Sequence, residues 1–332
     1  MIVQFLHTQP LCVDYMKKSY LLSLAVLLSI TAEAQQEQMF TQFMFNKLPY
    51  NPAYAGSFSS PTLTAVYRQQ WIGLEGAPNA QAASYNQSAI NNRVGIGGTI
   101  MRQQIGISTN LTVDIAYAYR VKMRRGTFSV GLQASMRNIR QNWADSRIVV
   151  IDQNDQGIPL ESKSKFLPNF GAGVYYVAYN DKWYAGLAIP RLVGNNIDFS
   201  EYGAVFSKEV QHVNAMGGFT FHPNDELTVT PQALFRYAVG APFDAEANVS
   251  VMLKKKFHGG LTYRVGGDKK GLGESVDVLL GIQATDNLFF CLSYDIGLTR
   301  LRKFNNGSVE AIVRWWFTPP DNVTDFEPSK PF

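Results

Sequence analysis

The 332-residue chain carries 17% charged and 13% aromatic residues and a formal net charge of +4. That balance is weakly basic, with no basic helix and no aromatic–basic interleaving, and it argues against nucleic acid as a partner. After residue 34 the longest apolar runs are about six residues, such as Val174-Tyr175-Tyr176-Val177-Ala178-Tyr179, far short of the roughly 20 that a membrane-spanning helix needs. Aromatic, rich in Gly, Ser, Thr, Asn and Gln, and broken into short segments, the composition reads as all-β.

Residues 1–34 read as an address. Met16-Lys17-Lys18 supplies a basic start, Tyr20 to Ile30 an apolar core of about eleven residues, and Ala32-Glu33-Ala34 the small residues a signal peptidase recognises. Met16 is the expected initiator and Gln35 the first mature residue, with no cysteine there to accept a lipid. Cys12 falls in this segment, which leaves Cys291 as a lone mature cysteine unable to form an internal disulfide or a metal cluster. Residues 35–60 are too irregular for a strand and too aromatic (Phe40, Phe43, Phe45, Tyr50, Tyr54) for a free tail.

From residue 61 onward polarity alternates with period two, the mark of strands with two different faces. Leu111, Val113, Ile115, Tyr117, Tyr119 and Val121 alternate with Thr112, Asp114, Ala116, Ala118 and Arg120. Strands are predicted at 61–72, 80–90, 92–104, 109–122, 126–139, 168–179, 182–190, 211–222, 225–239, 244–254, 256–266, 274–285, 287–298 and 307–317. Turns after even-numbered strands are short (Met123-Arg124-Arg125, Asn180-Asp181, Pro223-Asn224, Thr285-Asp286), whereas most after odd-numbered ones are longer, notably 140–167, 191–210, 267–273 and 299–306. This sorting, with the signal segment, predicts an outer-membrane antiparallel β-barrel of about fourteen strands with both termini in the periplasm. Pro190 and Pro231 fit only at a strand end or an irregularity.

An Arg or Lys facing mid-bilayer costs roughly 2–4 kcal/mol, so charges should face inward. Arg68, Arg93, Asp114, Arg120, Arg137, Arg236, Glu246, Arg264, Asp277, Asp295, Glu310 and Arg314 share the parity of the polar face. A lumenal charge network of Asp114, Arg120, Arg236, Glu246, Arg264, Asp277, Asp295, Glu310 and Arg314 is the expectation, crosslinking the interior more than selecting ions. Trp183, Phe257, Phe289, Trp315 and Phe317 are expected at the periplasmic rim, and Tyr67, Trp71 and Tyr237 at the outer one. About eight strands is the size that side chains alone can fill. Residues 35–60 are therefore the candidate plug, 61–317 the barrel, and 318–332 a Pro-rich periplasmic tail.

No catalytic constellation, metal set or cofactor motif emerges, so the expectation is a protein without enzymatic activity. His7 leaves with the signal segment, and His212, His222 and His258 share the parity of the polar face. Gly95-Ile96-Gly97-Gly98 opens no helix and so makes no phosphate loop. Asn51, Pro52, Ala53, Tyr54, Gly56 and Trp71 are candidate binding residues; Asn51-Pro52 and Gly56 equally suit a turn that packs the N-terminal segment into the barrel. The turn Lys254-Lys255-Lys256 either docks a periplasmic partner or is simply solvated.

The mature start, Gln42-Phe43-Met44-Phe45-Asn46 through Tyr50-Asn51-Pro52-Ala53-Tyr54-Ala55-Gly56, resembles the opening signature of the PorP/SprF family. The likeness continues through Tyr67-Arg68-Gln69-Gln70-Trp71, Ala188-Ile189-Pro190-Arg191-Leu192, Gly260-Leu261-Thr262-Tyr263-Arg264 and Asn306-Gly307-Ser308-Val309-Glu310. Arg191 and Val309 stand where the family commonly has His. The resemblance implies a non-catalytic outer-membrane barrel of the FadL-like size class, working in type IX secretion and gliding motility of Bacteroidetes. Its implied partners are a secreted adhesin, other secretion components and outer-membrane lipid. A FadL-like or porin-like transporter of small solutes is the alternative reading.

N-terminal sequencing of the membrane-extracted protein should begin at Gln35; retention of residues 1–34 would overturn the assignment of that segment as a signal.

Overall fold

The computed structural model describes residues 39–58, 60–145, 147–148, 161–179, 182–197, 199, 208–238, 243–266 and 273–318. The expected signal segment, residues 35–38 and all of the tail after Thr318 lie outside the described residues, as do parts of the longer loops. The strands are β1 (Thr62–Gln69), β2 (Asn79–Ala89), β3 (Val94–Ile105), β4 (Ser108–Met123), β5 (Gly126–Gln141), β6 (Lys163–Ala178), β7 (Trp183–Ile189) and β8 (His212–Phe219). There follow β9 (Phe221–Asn224), β10 (Leu227–Ala238), β11 (Asp244–Leu253), β12 (Phe257–Val265), β13 (Ser275–Thr285), β14 (Leu288–Gly297) and β15 (Ser308–Trp316). Apart from β8 and β9, each pairs antiparallel with its neighbours in sequence, and β15 pairs with β1, so the sheet closes on itself. Both β8 and β9 pair with β10 and count as one interrupted strand, which makes the barrel fourteen-stranded.

The interruption has a chemical cause. The β8–β10 register pairs Gly218 with Gln232, and continuing it would set Phe219 opposite Pro231. Proline has no N–H to give the ladder, so pairing lapses there and resumes at Phe221 opposite Val229. Elsewhere the predicted strands hold to within a few residues. The exception is β6, which starts at Lys163 rather than 168 and pairs with β5 as far as Gln141 opposite Lys163. The extension carries Lys163 and Lys165, so apolar periodicity gives no sign of it.

The two faces separate as alternation requires. On β4, Leu111, Val113, Ile115, Tyr117, Tyr119 and Val121 are exposed, whereas Thr112, Asp114, Ala116, Ala118 and Arg120 are buried in the lumen. Three inward or rim expectations are corrected. Arg93 lies exposed in the tight β2–β3 turn, outside the strand pattern altogether. Phe289 is fully buried, not at a rim, because it shares the parity of Cys291, Ser293 and Asp295 and so points inward. His222 is exposed on β9, beyond the interruption that breaks the pattern of β8, with its ring nitrogen 3.1 Å from Thr228 Oγ1.

One mouth of the barrel is formed by short turns, among them Arg124-Arg125 and Lys254-Lys255-Lys256, and receives the start of β1 and the end of β15. There Phe317 N donates to Pro61 O at 3.0 Å and Ser60 Oγ to Thr318 O at 2.6 Å. The opposite mouth carries the longer connections, apart from the two-residue β3–β4 turn Gly106-Ile107. Trp183, Phe257, Trp315 and Phe317 are exposed toward the short-turn mouth, and Tyr67 and Tyr237 toward the other.

Candidate functional site

Residues 39–58 coil through the lumen as two short 3-10 turns, Phe43–Phe45 and Pro52–Tyr54, joined by irregular backbone. Asn51 caps the second turn by accepting from Ala53 N at 2.9 Å, and Pro52 follows at the first helical position, where a missing N–H costs nothing. The barrel wall is shaped to admit this backbone. A Cβ on Gly131 would overlap the main chain of Pro52 and Ala53, and one on Gly95 would overlap that of Ala55 and Gly56. Neither wall position tolerates a side chain while the segment is in place.

Polar contacts fix the start of the segment within a ring of charge close to the long-loop mouth. Arg68 of β1 pairs with Asp295 of β14 at 2.6 Å and with Glu310 of β15 at 3.0 Å. Arg264 of β12 lies 3.5 Å from Glu246, 3.7 Å from Asp277 and 3.8 Å from Asp295. Every member is essentially sealed from solvent. Four carboxylates against two guanidiniums leave the ring short of positive charge. The segment makes up part of the deficit with backbone donors: Thr41 N and Gln42 N each reach the Glu310 carboxylate at 2.9 Å. The Thr41 hydroxyl sits at the centre, accepting from Arg68 at 2.5 Å and Arg264 at 3.0 Å and donating to Asp295 at 2.9 Å. Gln42 adds a bond from its side chain to Glu310 O at 3.1 Å.

Farther along, cations on the wall meet backbone carbonyls of the segment. Arg314 donates to Phe45 O and lies over the rings of Phe58, Trp316 and Phe45 at 5.1, 5.3 and 5.8 Å. Arg120 donates to Gly56 O, while Gly56 N donates to Asn86 Oδ1 at 2.6 Å. Asn214 donates to Tyr50 O at 3.0 Å, and Asn51 Nδ2 to Val174 O at 3.0 Å. The Lys47 ammonium, nearly sealed from solvent, donates to Met44 O at 2.9 Å and lies 4.6 Å from the Tyr184 ring centroid. Aromatic packing completes the fit, with Phe45 against Phe289 at 5.0 Å and Tyr54 against Tyr175 at 5.4 Å.

The nine charged residues expected in one network divide into separate groups. Glu246, Arg264, Asp277, Asp295 and Glu310 share the ring, joined by Arg68. Arg236 pairs with Asp244 at 3.2 Å, and Asp114 accepts from the Ser135 hydroxyl. Arg120 and Arg314 bond to main-chain carbonyls of the segment. The reason is height along the strands: parity places a charge inside the barrel but not beside another. Of the candidate binding residues, Asn51, Pro52, Ala53, Tyr54 and Gly56 are all buried in the segment. Trp71 is set apart in the β1–β2 loop, half-buried, with its backbone N 3.2 Å from Ser308 Oγ.

Sequence reasoning missed several participants. Thr41 and Lys47 carry no periodic signal, and Arg68 was one inward charge among many. A second cluster, in which Glu209 meets Arg137 at 2.9 Å and Arg191 at 3.7 Å and accepts from Asn169 at 2.9 Å, depends on a loop position that alternation does not reach. Lys254 and Lys255 occupy left-handed backbone at φ 53° and 54°, as a primed hairpin turn demands, and Lys254 lies 3.9 Å from exposed Glu226. Among the described residues no group of three or more His, Cys, Asp or Glu side chains could hold a metal ion.

The family model for the type IX secretion system membrane protein PorP/SprF matches residues 32–315, from the N-terminal segment to the end of β15. The chain belongs to the PorP/SprF family. No curated protein matches it. Similar solved structures include the CymD monoaromatic hydrocarbon channel, 10% identical over 85% of this chain and 94% of that one, with a TM-score of 0.49. A Pseudomonas aeruginosa FadL homologue is 12% identical over 84% and 94%, at 0.45. The outer membrane protein Omp33 of Acinetobacter baumannii is 5% identical over 79% and 100%, at 0.46. The family match makes the chain a membrane component of type IX secretion, and in this PorP/SprF protein the segment is tied to the wall by polar contacts at both ends.

Glu310→Gln removes the charge that holds two successive N–H groups. Charge-assisted bonds of this kind are worth roughly 1.5–3 kcal/mol each, so amide exchange at Thr41 and Gln42 should accelerate at least about tenfold, read by hydrogen exchange with the barrel strands as internal reference.

Proposed function

We propose that this PorP/SprF protein is an outer-membrane component of the type IX system that helps large adhesin-type substrates to be secreted or held at the cell surface, in support of gliding motility. The long-loop mouth faces outward and the short-turn mouth faces the periplasm. Residues 35–60 form a plug that closes the lumen to solutes. The observation that carries this reading is the insertion of residues 39–58 among the lumenal side chains, tied at one end to Glu310 and at the other to Arg120. An interior occupied by the protein's own chain leaves little continuous path for solutes and shifts recognition to exposed surfaces.

Those surfaces are the longer loops, 142–162 and 191–210 among them, which a rigid barrel can present to a secreted domain. The turn Lys254-Lys255-Lys256 meets periplasmic secretion components, with Lys254 tethered to Glu226 rather than spent on the barrel interior. The family match supports the secretion role, and the asymmetry of the two mouths supports the orientation.

Deleting residues 39–58 should raise single-channel conductance in planar bilayers; an unchanged conductance would remove the plug from the proposal.

Swapping loops 142–162 and 191–210 for unrelated loops of equal length should release adhesin into the medium while barrel abundance stays constant. If adhesin retention survives the swaps and solute uptake falls instead, the protein is a transporter.

A further inference from the structure

Outside the lumen, the outer wall of β3 to β6 changes character within one residue pair. The outward residues of the last fully apolar row are Ile100, Val113, Met136 and Pro168, aligned by the registers of the three strand pairs. The next outward row is Arg102, Leu111, Asn138 and Phe166, and the one after it Gln104, Thr109, Arg140 and Ser164. On β3 and β5 the apolar column ends at Ile100 and Met136, on β4 and β6 one row later at Leu111 and Phe166, and the wall then continues into the polar zone. The edge of the hydrocarbon band therefore crosses this patch, at the end of the barrel that carries the long loops.

Two guanidiniums stand at that edge. Arg102 is half-buried on the outer wall and donates to Gln104 Oε1 at 3.0 Å, which turns its charged end away from the apolar row and toward the polar one. Arg140 is exposed in the polar row. Between them lies a cavity of about 380 Å³, lined also by Gln104, Gly106, Ile107, Thr109, Asn142 and Asp145. The one carboxylate of that lining, Asp145, is already held by Arg147 through two bonds of 2.8 Å. The cavity thus presents two cations, hydroxyl and amide donors, and a neutralised acid, directly above an apolar wall.

We propose that this cavity binds the phosphate-bearing headgroup of a membrane lipid, with Arg102 and Arg140 on the phosphate and the acyl chains along Ile100, Val113 and Met136. Guanidinium forks suit phosphate oxygens, and the bond is stronger where the lipid boundary excludes part of the water. The two-residue turn Gly106-Ile107 bears on the same conclusion. A long β3–β4 loop would cover the cavity, whereas this two-residue turn is too short to fold over it. The proposed orientation enters only in naming the outer leaflet as the source of the lipid.

The test uses the purified full-length protein in neutral detergent, titrated with bis-phosphorylated lipid A or with phosphatidylcholine and read by native mass spectrometry. Wild-type protein should retain lipid A about tenfold more tightly than the Arg102→Ala/Arg140→Ala variant. Phosphatidylcholine, whose phosphate is offset by choline, should not distinguish the two. The Arg124→Ala/Arg125→Ala variant, with the same charge change at the short-turn mouth, should bind lipid A as wild type does. Equal retention by wild type and the Arg102/Arg140 variant, or equal loss in the short-turn variant, would overturn the site. Displacement of lipid A by millimolar inorganic phosphate would overturn the lipid assignment in favour of free phosphate. Should the double variant not fold, exposed Arg140→Gln alone carries the same comparison. Orientation is read separately, by labelling Ala144→Cys in intact cells with a membrane-impermeant maleimide. Failure to label would reassign the leaflet and leave the detergent measurement standing.

Discussion

The carboxylate of Glu310 holds the amino-terminal segment inside the barrel, and much of the interior depends on that contact. Fourteen strands enclose more volume than their own side chains fill, so the lumen must take in water or additional chain. Glu310 accepts from two successive backbone N–H groups of the segment while Arg68 binds Glu310 from the wall. The Thr41 hydroxyl then joins Arg68, Arg264 and Asp295 at one point. Burying so many charges is costly, and losing one partner of a buried pair typically costs about 3–5 kcal/mol. The segment and the ring therefore stabilise each other, because each supplies groups the other would otherwise leave unsatisfied.

Packing reinforces what the charges begin. Glycines on the inner wall let the segment's backbone touch the strands, and rings from both sides interlock: Phe45 with Phe289, Tyr54 with Tyr175. Arg314 combines the two modes, donating to Phe45 O while lying over three aromatic rings. Water-filled pores keep their charged side chains solvated, whereas the ring residues here are sealed and face one another or the segment. That contrast is the physical support for the proposal that recognition takes place outside the lumen.

The outer surface is divided along the strands instead of across them. Apolar residues such as Ile115 and Leu132 cover mid-strand positions, and Arg102 and Arg140 begin only where the apolar columns end. The same strand alternation thus serves two solvents, lipid on one face and a polar, protein-filled interior on the other. An arginine at the boundary escapes the cost it would meet at mid-bilayer and remains within reach of headgroups.

Alternation in the sequence determined the strands, the barrel and the inward charges within the strands, Arg93 in a turn excepted, because a period of two admits only one assignment of faces once lipid excludes charge. The alternate residues Leu111, Val113, Ile115, Tyr117, Tyr119 and Val121 could face nowhere but outward, and Arg120 and Glu310 nowhere but inward. The family signature at Asn51 to Gly56 was equally visible, and the size of the barrel pointed to the lumen as its place, although the contacts it makes there were not legible. Parity says nothing about height, so only the tertiary structure decided that Arg68 and Arg264 share a ring while Arg236 and Asp114 do not. The inward turn of Phe289 was legible in its parity with Cys291, Ser293 and Asp295, although its bulk near a strand end read as a rim aromatic; its partner Phe45 was decided only by the tertiary structure. Residues 39–58 lack any period, so the path that brings Thr41 to Glu310, 269 positions away, follows from wall shape and charge and from no local pattern.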